Sequence, residues 1–278
     1  MTKRPLTLDR LAINQRTFGP DVDLPTAVEA AARAGFAGIA PWREHVTSVG
    51  RDAAARMIRD AGLKVSGLCR SGFFGPGSRP EDGQGALTEM LEAIEDAAVL
   101  GAAAVIVVGG GGGANIDAAR ARLCAGLAAV IPAAAAAGVR LALEPLHPMT
   151  AADRGCISTI DYARDLAVLL DPDNTVIGLA LDAYHVWWEP YLAASVGRAG
   201  KRIDAVHICD WRVPTRDLLL DRGLPGDGVA QPRRLRCLAE AAGYRGLIEV
   251  EVFQPELWAL ADPLRIAEAA RDAALAHG

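Results

Sequence analysis

Four short apolar runs in the C-terminal half of the chain stop on side chains able to bind a metal or move a proton. They read Leu141-Ala-Leu-Glu144, Leu179-Ala-Leu-Asp182, Asp204-Ala-Val-His207 and Ile248-Glu-Val-Glu251. The stops are 38, 25 and 44 residues apart, and each interval has room for a strand, a helix and their loops. Side chains alternate faces along a strand. Ala142 therefore shares the face of Glu144, and Gly178 and Ala180 share that of Asp182. The large apolar neighbours, such as Leu143, Leu181, Val206 and Val250, point the other way, toward packed helices. Four separate strand ends facing solvent would give no reason for this repeated parity, whereas one shared site does. Three carboxylates and one imidazole make a mixed oxygen and nitrogen site suited to Mn²⁺, Mg²⁺, Co²⁺ or Zn²⁺. Without a thiolate in the set, a structural zinc site is not expected.

Such tips need rigid elements to hold them. Strands are expected over 11–15, 36–40, 64–69 and 103–108, followed by the four runs above. Helices are expected over 26–34, 52–61, 86–100, 116–137, 159–170, 191–199, 232–242 and 263–276. Pro25 and Gly35 bracket the first helix as start and stop signals, and Pro132 is expected to disturb the fourth. The apolar run at 103–108 suits a parallel strand buried on both faces. Eight strands each followed by a helix is the pattern of a closed (β/α)8 barrel, a fold of about 250 residues. With 278 residues and no linker-like break, the chain is read as a single α/β barrel domain over 1–278. A doubly wound sheet would carry a Gly-rich dinucleotide turn after its first strand. Here that turn reads Arg16-Thr17-Phe18-Gly19-Pro20. In a barrel the C-terminal strand ends face the mouth of the site, which puts Glu144, Asp182, His207 and Glu251 on strands five to eight.

Composition removes several function classes. The net charge of −5 argues against nucleic acid bound over a wide surface. Five scattered cysteines without a CxxC spacing suggest reduced thiols in a cytoplasmic protein. The first ten residues lack an apolar stretch of the secretory type. The Ala-rich runs are read as too short, or too interrupted by charge, to cross a bilayer, so no membrane partner is expected. Lys64 and Lys201 precede strands and would lie at the opposite barrel end, which disfavours Schiff-base chemistry. The lack of a His-rich multi-zinc set also disfavours a phosphodiesterase of the endonuclease type.

The pattern Glu…Asp-x-x-His…His-x-x-Asp…Glu resembles the sugar phosphate isomerase/epimerase family, the xylose isomerase-like TIM barrels. These include D-tagatose 3-epimerase-like and inosose dehydratase-like enzymes. Asp182-Ala-Tyr-His185 matches the family's Asp-x-x-His, and His207-Ile-Cys-Asp210 its His-x-x-Asp. Tyr244-Arg-Gly-Leu-Ile-Glu-Val-Glu251 resembles the entry to its last metal-binding Glu. The strand order agrees over nearly the whole chain, while the specific motifs lie within 141–253. The resemblance implies Glu144, Asp182, His207 and Glu251 as metal ligands, Mn²⁺ as the first expectation for the ion, a small sugar or polyol as substrate, and His185 as a substrate contact. Trp187-Trp188 after the Asp-x-x-His motif and Pro145-Leu-His147-Pro148 after Glu144 depart from the family pattern and leave the substrate open.

Other residues admit two readings from sequence. Glu249 shares the face of Glu251 one layer deeper and is the alternative ligand. His147 is a substrate contact or a loop histidine. Arg212 either holds a substrate oxygen through its fork of donors or pairs with Asp210. Trp42, Trp187 and Trp188 form a wall for a sugar or belong to the core. The Gly109–Gly113 run lacks a following Lys-Ser/Thr, which excludes a P-loop and favours close packing. Asp227 in the Leu224-Pro-Gly-Asp-Gly228 turn would repel a phosphate there. Glu144 and Glu251, flanking a divalent ion, suit proton transfer next to a carbonyl. A metal-dependent isomerase or epimerase is therefore expected, with a lyase of inosose dehydratase-like or keto-glycoside-cleaving type as the alternative. A non-catalytic sugar-binding protein comes third. Homo-oligomer formation through aromatic and loop residues at the mouth is left open.

Overall fold

The computed structural model describes residues 5–72, 74 and 84–278. The first residues of the chain and most of the Gly/Pro-rich stretch between Arg70 and Gly85 lie outside the described residues. In chain order the strands are β1 (Leu11–Asn14), β2 (Gly38–Ala40), β3 (Lys64–Val65), β4 (Leu68–Ser71), β5 (Val105–Val107), β6 (Leu141–Leu143), β7 (Ile177–Asp182) and β8 (Ile203–Ile208). After them come β9 (Asp210–Trp211), β10 (Arg222–Gly223) and β11 (Ile248–Val250). Nine of these form one sheet in the order β3-β2-β1-β11-β8-β7-β6-β5-β4, while β9 and β10 form a small antiparallel ribbon. Every pairing in the large sheet is parallel.

The sequence pattern predicts one third strand over 64–69, and the structure splits it. Lys64 and Val65 pair with β2, whereas Leu68–Ser71 pairs with β5. A parallel bridge between Trp42 and Cys69 joins the two ends of the sheet, with the Cys69 N–H donating to the Pro41 carbonyl at 3.1 Å. The result is the expected (β/α)8 barrel, closed through its broken third strand.

The outer helices start where the sequence places capping side chains. Asp23 accepts from the Thr26 N–H at 2.9 Å, Asn115 from Ala118 at 2.9 Å and Thr159 from Tyr162 at 3.2 Å. The helix Ile116–Ala137 runs through Pro132 without a break. Pro132 faces solvent, where its missing N–H leaves no buried carbonyl to satisfy. At 22 residues this helix is long and apolar enough to cross a membrane, contrary to the reading of the Ala-rich runs. Its buried face, including Leu123, Leu127 and Val130, instead packs in the helical layer of the barrel.

Two apolar layers result. The larger lies between strands and helices. The smaller fills the barrel interior with Trp42, Cys69, Ile106, Ala142, Ala180, Ala205 and Phe253. Ala142, Ala180 and Ala205 point inward beneath the polar strand ends, as the parity argument requires. Their small size leaves room for the larger polar side chains above.

The glycine run is a packing device. Gly110 bridges to Gly155, and the Gly112 and Gly113 N–H groups donate to the Ala151 and Ala152 carbonyls, both at 2.7 Å. A Cβ on Gly111 would lie 2.5 Å from the Asp153 carbonyl carbon. The run thus clamps the loop after β6, with the Gly112 and Gly113 N–H groups pointing at protein carbonyls.

Candidate metal centre

Glu144 follows the last residue of β6, and its N–H donates to the Val107 carbonyl at 3.0 Å, which extends the ladder to the strand tip. Asp182 ends β7, His207 lies near the end of β8, and Glu251 follows β11. One ligand atom from each of these four buried residues lies within 4.8 Å of all the others. His207 Nδ1 is 3.2 Å from Glu144 Oε1 and 3.6 Å from Glu251 Oε2.

A fifth residue completes this cluster. The Arg222 Nη1 donates to Asp182 Oδ2 at 2.8 Å and to Glu251 Oε2 at 3.0 Å. Its Nη2 lies 3.2 Å from His185 Nε2, and the guanidinium sits 4.6 and 4.4 Å from the ring centres of Tyr184 and Phe253. The ribbon of β9 and β10 brings this side chain over the cluster. Arg222 lies just before the Leu224–Gly228 turn, and no local pattern in the sequence marks it as a site residue. Asn14, at the end of β1, was not among the expected site residues, although its run Leu11-Ala-Ile-Asn14 has the same form as the other four. Its Nδ2 donates to Glu249 Oε1 at 2.8 Å and to Glu251 Oε1 at 3.2 Å.

The electrostatics of the cluster follow from its burial. Burial raises Asp182, and the neighbouring Glu251 and Glu144 add to this against the pull of Arg222, leaving it at about 7. Burial also pushes Glu251 upward, but Arg222 and His207 outweigh it and hold the carboxyl at about 2. His207 loses solvation, yet Glu249, Glu144 and Glu251 drive its pKa well above the usual range. Burial and the adjacent Arg222 push His185 well below its usual value. The donor set fits a divalent cation: three buried carboxylates and an imidazole converge, and Arg222 neutralises only part of their charge.

Glu249 lies one layer beneath this group and outside it. Its Oε2 accepts from the Ser66 hydroxyl at 2.8 Å, and its Oε1 faces His207 Nε2 at 3.8 Å. It stands behind the imidazole.

Glu144, Glu251 and Arg222 of the cluster line a cavity of about 390 Å³. His185 reaches it because Asp182 caps the short helix Ala183–Val186, accepting from the Tyr184 N–H at 2.9 Å, which turns the chain back over the barrel. Trp42 lines the cavity too, with its Nε1 donating to Asn14 Oδ1 at 2.7 Å. Three other expected contacts lie elsewhere. His147 sits behind His185, its ring stacked on Trp211 at 4.9 Å and its N–H donating to His185 Nδ1 at 3.2 Å. Trp187 packs against Trp211 at 5.6 Å and joins the outer core. Arg212 pairs with Asp221 at 3.0 Å and Glu256 at 2.8 Å, and not with Asp210. Asp210 instead accepts from the N–H groups of Gly226 at 2.9 Å and Ala230 at 2.7 Å, which ties down the loop that carries Arg222.

The solved structure of protein SMc04130 from Sinorhizobium meliloti 1021 is 43% identical, with a TM-score of 0.91 over 98% of this chain and 99% of that one. The IOLI protein with a binding zinc atom is 21% identical, with a TM-score of 0.81 over 96% and 97% of the two chains. The 3-keto-D-glucoside 4-epimerase YcjR from E. coli is also 21% identical, with a TM-score of 0.74 over 95% and 97%. A search of curated proteins finds none that matches. The family model described as xylose isomerase-like TIM barrel matches residues 28–274, and the chain belongs to that family.

Proposed function

We propose that the protein is a divalent-metal-dependent isomerase or epimerase that moves a proton on the carbon next to the carbonyl of a ketose or keto-polyol. The observation that carries this reading is the convergence of Glu144 and Glu251 on His207 at the cavity floor, 3.2 and 3.6 Å from its Nδ1. Their strands, β6 and β11, bracket β7 and β8 in the sheet, so the two carboxylates approach a bound ligand from different sides. One carboxylate removes the α-proton, and the electron pair of the C–H bond passes toward the carbonyl. The other returns a proton to the opposite face of that carbon, or to the neighbouring carbon. An ion held by Glu144, Asp182, His207 and Glu251 would act as a Lewis acid on the carbonyl and a template for the adjacent hydroxyl.

Asn14 and Arg222 fix the two oxygens of Glu251, which orients it before substrate arrives. His185 and Arg222 offer polar atoms for substrate oxygens, while Trp42 and Phe253 give the carbon skeleton an apolar wall. Two proteins of the same fold support this reading: one holds a zinc atom and another is a 3-keto-D-glucoside 4-epimerase.

The test is deuterium incorporation from heavy water into a panel of ketoses, inososes and 3-keto-glycosides, with and without chelator. Exchange that needs the metal is expected, and Glu144→Gln and Glu251→Gln should each abolish it. Product mass separates isomerisation, which conserves it, from a lyase that loses water or an aglycone. No exchange in samples loaded with Mn²⁺, Mg²⁺, Co²⁺ or Zn²⁺ would refute the proposal.

A further inference from the structure

The cavity above the metal cluster has a second charged region. Besides Arg222 at its floor, it is lined by Arg16, Arg70 and Arg154, whereas the acidic residues in its lining are Glu144 and Glu251 of the cluster. The three arginines come from different parts of the barrel: the turn after β1, strand β4 and the loop after β6. The guanidinium carbons of Arg16 and Arg70 lie 5.0 and 5.3 Å from the centre of the same Trp42 ring. Burial lowers the pKa of Arg70 and the positive charge of Arg154 lowers it further, while Glu44 and Glu144 pull it the other way.

Among the described residues, neither Arg16 nor Arg154 reaches a carboxylate within ion-pair distance. Asp217, which feels the charge of Arg154, has its carboxylate engaged by the Leu219 and Leu220 N–H groups at 2.8 and 2.7 Å. Arg16 and Arg154 share this concavity without a carboxylate of their own, and an anion placed beside them gains their charge. Guanidinium forks match carboxylate and phosphate oxygens in geometry. Asp227 accepts from the Leu224 N–H within its own turn at 3.0 Å and is not part of the lining.

We propose that this pocket takes an anionic substrate, with its reacting end on the metal cluster and a carboxylate or phosphate at its far end held by Arg16, Arg70 and Arg154. The placement of the reacting end rests on the proton-transfer reading above. The two anion chemistries share the same recognition, and matched ligands tell them apart.

The experiment is calorimetric titration of the metal-loaded protein with D-fructose, 5-keto-D-gluconate and D-fructose 6-phosphate, at low and at raised salt. At least one anion should bind roughly tenfold or more tightly than D-fructose, with the advantage weakening as salt rises. Arg16→Gln and Arg154→Gln, at half-exposed positions, should each reduce that advantage while leaving D-fructose affinity and thermal stability unchanged. Equal affinities for the three ligands, no binding of either anion, or a preference that survives in both variants would overturn the proposal. The same samples, run in heavy water, separate the two readings. Exchange into a neutral ketose without any anion preference sinks only the anion site. An arginine-dependent preference without exchange into any substrate leaves the anion site standing and sinks proton transfer.

Discussion

Replacing Arg222 with Met separates the electrostatic role of the guanidinium from its packing role. The side chain is 4% exposed, donates to Asp182 at 2.8 Å and Glu251 at 3.0 Å, and lies between the rings of Tyr184 and Phe253. Methionine keeps the apolar contact with those rings and removes the charge. In chelator, two buried carboxylates then lose their cation, a change that costs about 3–5 kcal/mol when one partner of a buried ion pair is deleted. For a chain of this size each kcal/mol moves the melting temperature by about 2–4 °C, so a fall of roughly 6–20 °C is expected. With saturating Mn²⁺, a second source of positive charge sits beside the same carboxylates, and the loss should shrink to roughly half or less. The assay is thermal melting of Arg222→Met and wild type, each in chelator and in Mn²⁺. An equal fall under both conditions, or none in chelator, would refute the claim that Arg222 and a divalent ion neutralise one carboxylate set.

Three further predictions follow from particular contacts. Glu249→Gln removes the charge behind His207 Nε2 at 3.8 Å and should lower divalent-metal affinity by about 10–100-fold, as read by chelator competition. An unchanged affinity would deny Glu249 a role in positioning the imidazole. Gly111→Ala would press a Cβ to 2.5 Å from the backbone at Asp153, so a loss of about 1–3 kcal/mol is expected from urea unfolding. A neutral substitution would show that the loop after β6 yields easily. Asp171 carries the pH prediction. Burial raises it, but N–H groups of Val176, Ile177 and Thr175 prevail and hold its pKa at about 2, below the ordinary 3.8 of the unfolded chain. Its stabilising contribution is complete above 3.8 and is lost as pH falls through about 2, amounting to about 2 kcal/mol. The urea-midpoint gap between wild type and Asp171→Asn should therefore narrow as pH drops below about 4, and a constant gap would contradict the assignment.

What could be read from residues alone was whatever depends on strand period and element order. Alternation along a strand is a local property, so the shared face of Glu144, Asp182, His207 and Glu251, with Ala142, Ala180 and Ala205 beneath, was legible before any fold was known. The alternation of strand and helix led to the barrel for the same reason. The break in the third strand was not legible, because it answers the closure of the sheet between Trp42 and Cys69. Pro132 was read as a disturbance because its exposure depends on which face of the helix meets the barrel. The largest gain from tertiary structure is Arg222, which lies 40 residues from Asp182 and 29 from Glu251 in sequence. Only the folding back of the β9–β10 ribbon brings it onto them. The same loop geometry gives Arg212 to Asp221 and Glu256, and the helix after Asp182 carries His185 inward while Trp187 turns to the core. Strand periodicity decided which side chains share the barrel interior. Loop conformation, set by long-range hydrogen bonds and burial, decided which partners surround them.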